Sequence, residues 1–255
     1  MKRTPSILLL FAASTLLSFS GTPTDILVHV LANDAKLMGT SMGGAWVTVR
    51  DLKTGEILSQ GKHAGSTGDT NLIVKQPKQR GEDRFPGEAP AVYKDTIELS
   101  RPTLVEITAE GPLVYPHAMQ KASVTTLLLP GKHLKGEGVV LNLHGFVVDI
   151  MSPESVDSVK AGEAFTIQAS VRMMCGCPTS PDGLWDSNDF EITAHLIQND
   201  EVIQSAPMKY AGKTNIYSVE ITAPGDAGSV EVLITASDKS KANFGMDQMM
   251  MRVSE

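Results

Sequence analysis

Apolar and polar residues alternate in short runs along most of the chain after residue 20, and turn-forming residues separate the runs. A period of two marks a strand with one buried face, and no dozen residues keep the 3.6-residue period of a helix. In the first half the runs are DILVHVL, AWVTVRD, EILSQG, TNLIVK, TLVEITAEG, SVTTLLL and VVLNLHGFVVDI. In the second half they are AFTIQASVRMM, FEITAHLIQ, EVIQSAPMKY, IYSVEITAP, GSVEVLITASD and DQMMMRVS. DLKTGE joins two early runs, with Gly55 placed for the positive φ of a tight hairpin turn. The pattern predicts an all-β protein of two antiparallel sandwiches, residues 21–150 and 151–255, joined through the polar run MSPESVDSVKAGE.

Two segments depart from this texture. Residues 75–94, KQPKQRGEDRFPGEAPAVYK, are polar and rich in Pro and Gly, and read as a mobile surface excursion from the first sandwich, dispensable for folding. Residues 1–20 open with Lys2 and Arg3, continue through ILLLFAASTLL and close on SFS, the layout of a secretory signal peptide cut after Ser20. The apolar core is too short to span a bilayer. This layout predicts a periplasmic or secreted protein without a transmembrane segment.

GGAWVTVRDLKTGEILSQGKHAGSTGDTNLIV, within residues 43–74, resembles carboxypeptidase-regulatory or transthyretin-like modules, in which a small residue opens a strand and a D-x-x-T-G hairpin follows. The long excursion departs from that pattern. The Tyr-Arg-Gly-Ser ending of the transthyretin-like hydrolases is missing, so no activity carries over. NIYSVEITAPGDAGSVEVLITASDKSKANFGMDQMMMRV, with VKAGEAFTIQASV upstream, is similar to bacterial immunoglobulin-like domains over residues 150–253. That resemblance implies a sandwich and an exported setting, and assigns no ligand.

Charge narrows the partners. The chain has 22 basic and 29 acidic side chains, and losing Lys2 and Arg3 with the leader would move its balance from −7 to −9. This disfavours nucleic acid and anionic membrane surfaces, which need clustered Lys and Arg. A metal cation or a basic partner is tolerated, and charge alone selects neither; the candidate partners are Cu(I) or an envelope protein. No nucleophile elbow, phosphate loop, H-E-x-x-H or paired-carboxylate signature is present, so the sequence points away from an enzyme.

The chemistry concentrates in VRMMCGCPTSPDGLW, which holds both cysteines of the chain. Three readings of Cys175-Gly176-Cys177 compete. A disulfide is the default in an oxidising compartment. In extended chain, however, two Cα atoms one residue apart sit near or beyond the ~4.4–6.8 Å that a disulfide prefers. A C-x-C pair with methionines nearby suits Cu(I), and a strained pair suits thiol exchange. In immunoglobulin topology the loop after the second strand and the loop before the last share a pole. That brings Met246 and Met249 toward Cys175 and Cys177. Seven of the 12 methionines flank that pole: Met173, Met174, Met208, Met246, Met249, Met250 and Met251. The leading reading is thus an exported binding protein with a copper site of Cys175, Cys177, Met246 and Met249. The alternative is a structural, adhesive or protein-interaction module whose Cys pair is a local disulfide. Weaker features read as structural: His117 with Met119, Met38 with Met42, His195 on a strand, and Trp185 over the end of the core.

Overall fold

The computed structural model describes residues 21–86, 90–154 and 158–255. Residues 1–20, read above as a signal peptide, and parts of the excursion and the connecting run therefore lie outside the described residues. Among the described residues sixteen strands follow in order: β1 Thr22–Ala32, β2 Ala45–Asp51, β3 Ile57–His63, β4 Tyr93–Leu99, β5 Thr103–Gly111, β6 Gln120–Leu128, β7 Val139–Leu143 and β8 Phe146–Ser152. They continue as β9 Ser158–Lys160, β10 Ala164–Met173, β11 Glu191–Gln198, β12 Glu201–Pro207, β13 Lys209–Tyr210, β14 Ile216–Thr222, β15 Gly228–Asp238 and β16 Asn243–Ser254. Helical geometry among the described residues is confined to single turns.

The first sandwich packs the sheet β4-β1-β7 against β3-β2-β5-β6. All of its pairings are antiparallel except β1 with β7. Alternation along β1 and β2 sends Ile26, Val28, Val30, Val47 and Val49 inward, where they meet Ile97, Val105 and Ile107. In the second sandwich the orders are β8-β10-β14-β13 and β12-β11-β15-β16-β9. In immunoglobulin lettering these are A-B-E-D and C′-C-F-G, the short β9 pairing parallel to the last strand. The protein is all-β, and its second half is an immunoglobulin-like sandwich on strand order alone. The chain crosses between sandwiches at His144-Gly145, so VVLNLHGFVVDI is two strands serving different sheets.

The 75–94 excursion is more than a surface loop. Phe85 is buried, stacks on His29 with ring centroids 4.3 Å apart, and joins Leu31, Leu37 and Ala91 in a small second core. That cluster roofs the outer face of β1, which explains why His29 and Leu31 are buried as well as the inward Val28 and Val30. Arg84 and Lys78 bind Glu137 at 2.9 and 2.7 Å and tie the excursion to the turn before β7. Burial alone would raise the Glu137 pKa, but these two cations win and hold it at about 2.

TNLIVK, expected as a strand, is a single π turn over Asn71–Lys75. Asp69 Oδ1 accepts the amide hydrogens of Asn71 and Leu72, at 2.7 and 3.1 Å, and bends the chain before any neighbour can pair with it.

Candidate functional site

Of the residues singled out for chemistry, Cys175, Cys177 and Met246 lie where the two sandwiches meet. β10 ends at Met173, and the chain turns through Gly176, whose φ is +79°. The Gly176 N–H donates to Met173 O at 2.8 Å, and the Met173 N–H donates to Cys177 O at 3.2 Å. This turn brings the cysteine Cα atoms to 5.3 Å, inside the preferred range, and the two are joined as a disulfide. The geometric objection raised from an extended chain fails because only glycine enters this conformation without penalty. Both cysteines are buried. The next residues are anchored as firmly: Thr179 donates to Val171 O at 2.7 Å and accepts from the Tyr217 hydroxyl at 2.8 Å. The Thr179 N–H donates to Asn215 Oδ1 at 2.8 Å.

This loop faces the first sandwich. A Cβ added at Gly176 would lie 2.7 Å from Met42 Sδ, so the Met42 side chain rests directly on the Cys-Gly-Cys turn. Trp185 crosses the same boundary, its Nε1–H donating to Asp34 O at 2.9 Å. From the β15–β16 turn, Lys241 O accepts from Asn33 Nδ2 at 2.7 Å. The loops after β10 and before β16 therefore share one pole, as the topology implied, and that pole grips the 33–34 turn.

The four proposed metal ligands do not share one setting. Cys175 and Cys177 are bonded to each other, so as they stand neither is a thiolate ligand. Met246 lies within β16, which already begins at Asn243, and not in a loop. Met246 and Met249 differ by an odd number of positions, so strand alternation sends them to opposite faces. Met246 is half exposed, whereas Met249 packs against the core. Met173, Met174, Met208 and Met251 are core residues. Among the described residues, no group of three or more His, Cys, Asp or Glu side chains is placed to hold a metal.

Met246 meets a different residue from the one expected. With His117, Gln120, Phe146, Thr235 and Phe244 it lines a cavity of about 350 Å³ between the short turn Pro116–Ala118 and β15–β16. The His117 Nε2–H donates to Val148 O at 2.9 Å, with Asp149 Oδ1 at 3.3 Å. Arg172 pairs with Asp149 and lies over the Tyr115 ring, 4.9 Å from its centroid. Alternation along β16 adds Met250 to the outward row, so that Phe244, Met246 and Met250 are each 50–55% exposed. The sequence showed His117 and Met246 separately; their shared cavity depends on a tertiary contact that no local spacing encodes. His195 is the partly buried strand histidine expected, held between Ser205 Oγ at 2.8 Å and Thr235 Oγ1 at 3.1 Å.

No family model matches the chain, and no curated protein matches it. Several solved structures do. An engineered protein is 16% identical over 50% of this chain, which spans only 24% of that protein, with a TM-score of 0.32. Fibronectin(III)-like modules of Clostridium thermocellum CbhA are 14% identical over 91% of this chain and 94% of theirs, at 0.31. Chimeric titin Z1Z2 is 13% identical over 92% and 98%, at 0.26. Superpositions this loose carry no argument, and the fold assignment rests on strand order.

Proposed function

We propose that the chain is an exported, non-enzymatic interaction module of the cell envelope, periplasmic or secreted, in which Cys175–Cys177 is a local clip. The observation that carries this reading is the outward row Phe244, Met246 and Met250, which leads into the junction cavity. Large apolar side chains aligned on one sheet face, beside a pocket with few polar groups, suit a protein partner. A photo-crosslinking amino acid at position 246 should give one discrete adduct in the intact envelope, and the same group at exposed Lys213 should give none. Equal labelling at both positions, or none at either, removes the reading.

Copper keeps one observation in its favour: a thioether and an imidazole nitrogen, both acceptable to Cu(I), line one cavity. On this second reading His117→Ala and Met246→Leu each weaken Cu(I) binding, and the disulfide-bonded protein still binds. Anaerobic competition against a Cu(I) chelator measures this, and a protein that competes only after reduction would return the site to the cysteines.

A further inference from the structure

Among the described residues eight strands end the four sheets, and seven of those edges are guarded. An open edge invites pairing with another chain, so proteins shorten it, charge it, bend it or cover it. β7, β9 and β13 are short, at five, three and two residues. β4 carries Lys94, Asp95 and Glu98. β3 is covered by β4: a Cβ added at Gly61 would lie 2.7 Å from the Tyr93 ring, and Ala64 bridges to Val92. A bulge between Leu196 and Ile197 bends β12, which closes on Pro207. β8 turns its edge to β16, where Asp247 Oδ2 accepts the Ile150 N–H at 2.8 Å.

β6 is the exception. Its sequence QKASVTTLL has no Pro or Gly and one charge, Lys121, which binds Glu110 Oε1 at 2.9 Å. The Leu52 N–H donates to Leu104 O, so the even-numbered residues of β5 address β2 and the odd-numbered ones address β6. Ile107 faces Val124 and Val105 faces Thr126, so the even-numbered residues of β6 spend their backbone groups on β5. The N–H and C=O groups of Lys121, Ser123, Thr125 and Leu127 point away, and among the described residues no strand pairs with them. Packing is unfinished on the same side. Val105, Ile107 and Ala109 of β5 are fully buried, whereas Ala122, Val124 and Thr126, one strand further out on the same face, are only half-buried.

We propose that β6 pairs antiparallel with β6 of a second copy, about a two-fold axis through Val124. The two four-stranded sheets then run on as one. Ser123 lies opposite the partner's Thr125 and Lys121 opposite the partner's Leu127, and these outward residues exchange about eight backbone hydrogen bonds. No like charges meet, and the two half-covered Val124 side chains come together. A second copy suits the edge better than a foreign strand, for a reason of closure. Two identical edges consume each other and leave none, whereas a foreign strand brings an outer edge of its own. Alternation in SVTTLLL marks the strand, but its place at an edge depends on which strands flank it.

The test uses protein expressed from the full-length gene, with its N-terminus fixed by mass. Sedimentation equilibrium across the micromolar range should show monomer and dimer in exchange, with no larger species. Thr125→Pro removes an outward N–H and leaves the β5 ladder whole, and it should weaken the dimer at least tenfold. Ser123→Lys with Thr125→Lys adds four lysines about the axis and should do the same with an unchanged melting curve, since both side chains are exposed. Val124→Cys should crosslink on mild oxidation into a covalent dimer, because an opposed pair that shares no hydrogen bonds sits within disulfide reach. Lys213→Cys should not. A starting protein that stays monomeric, a dimer that neither edge variant weakens, or an assembly that grows past two overturns the inference. So does a Val124→Cys protein that crosslinks no more than Lys213→Cys. Position 246 lies in the second sandwich, so its crosslink and this dimer fail separately.

Discussion

Lowering the pH from 7.5 to 4.5 should remove about 2–3 kcal/mol of folding stability through His63 alone. β4 stops pairing with β1 at Val28, and beyond it the Val30 N–H donates to His63 Nε2 at 3.1 Å. The imidazole replaces the missing strand as acceptor, which only its neutral form can do. Burial first, and then the neighbouring His29, lower the His63 pKa to about 4. The unfolded chain takes the proton near pH 6.5 and the folded chain only near 4. The stability is thus complete above pH 6.5 and lost as pH falls toward 4. Glu137, held at about 2, loses its contribution in a separate window below 4.5. Urea unfolding at both pH values measures the loss. His63→Gln keeps an acceptor for Val30 without a titrating ring, so its difference between the two pH values should be smaller by about 2 kcal/mol. Identical differences for the two proteins would rule out His63 as the source.

Gly176→Ala should destabilise the protein by about 2–3 kcal/mol, from left-handed backbone strain together with overpacking. The added methyl meets Met42 Sδ at 2.7 Å, and Met42 is itself buried and cannot swing into solvent. A double-mutant cycle with Met42→Ala separates the two causes: the packing part is coupled, and the backbone part persists without Met42. A Gly176→Ala protein within about 0.5 kcal/mol of the parent would mean that the two sandwiches do not pack through this turn.

Much of the fold is legible in alternation. AWVTVRD, TLVEITAEG and GSVEVLITASD coincide with β2, β5 and β15. β4 escaped detection because Asp95 interrupts its pattern, and that carboxylate accepts from Ser59 Oγ at 2.5 Å and from the Tyr93 hydroxyl at 3.3 Å. EVIQSAPMKY reads as one strand, yet Met208 turns inward and divides β12 from β13. The candidate site was less legible. Spacing singled out the Cys-Gly-Cys segment but, taking it as extended, counted against the disulfide that the turn at Gly176 allows, while topology placed its loop beside the one before β16. It could not show that β16 begins early enough to set Met246 on a face of its own, opposite Met249. Nor could it foresee the role of Phe85, since one aromatic in a polar stretch gives no periodic signal.

The contact of Met42 with the Cys-Gly-Cys turn has a consequence for heredity as well as stability. One continuous apolar core runs through both sandwiches, and Met42, Phe146, Met174 and Trp185 belong to it together. Cutting the gene at His144-Gly145 would leave each fragment with a raw hydrophobic wound where the other had been. Neither half is therefore a portable cassette. Shuffling can move this pair through genomes only as one piece, and heat should melt it in one cooperative transition.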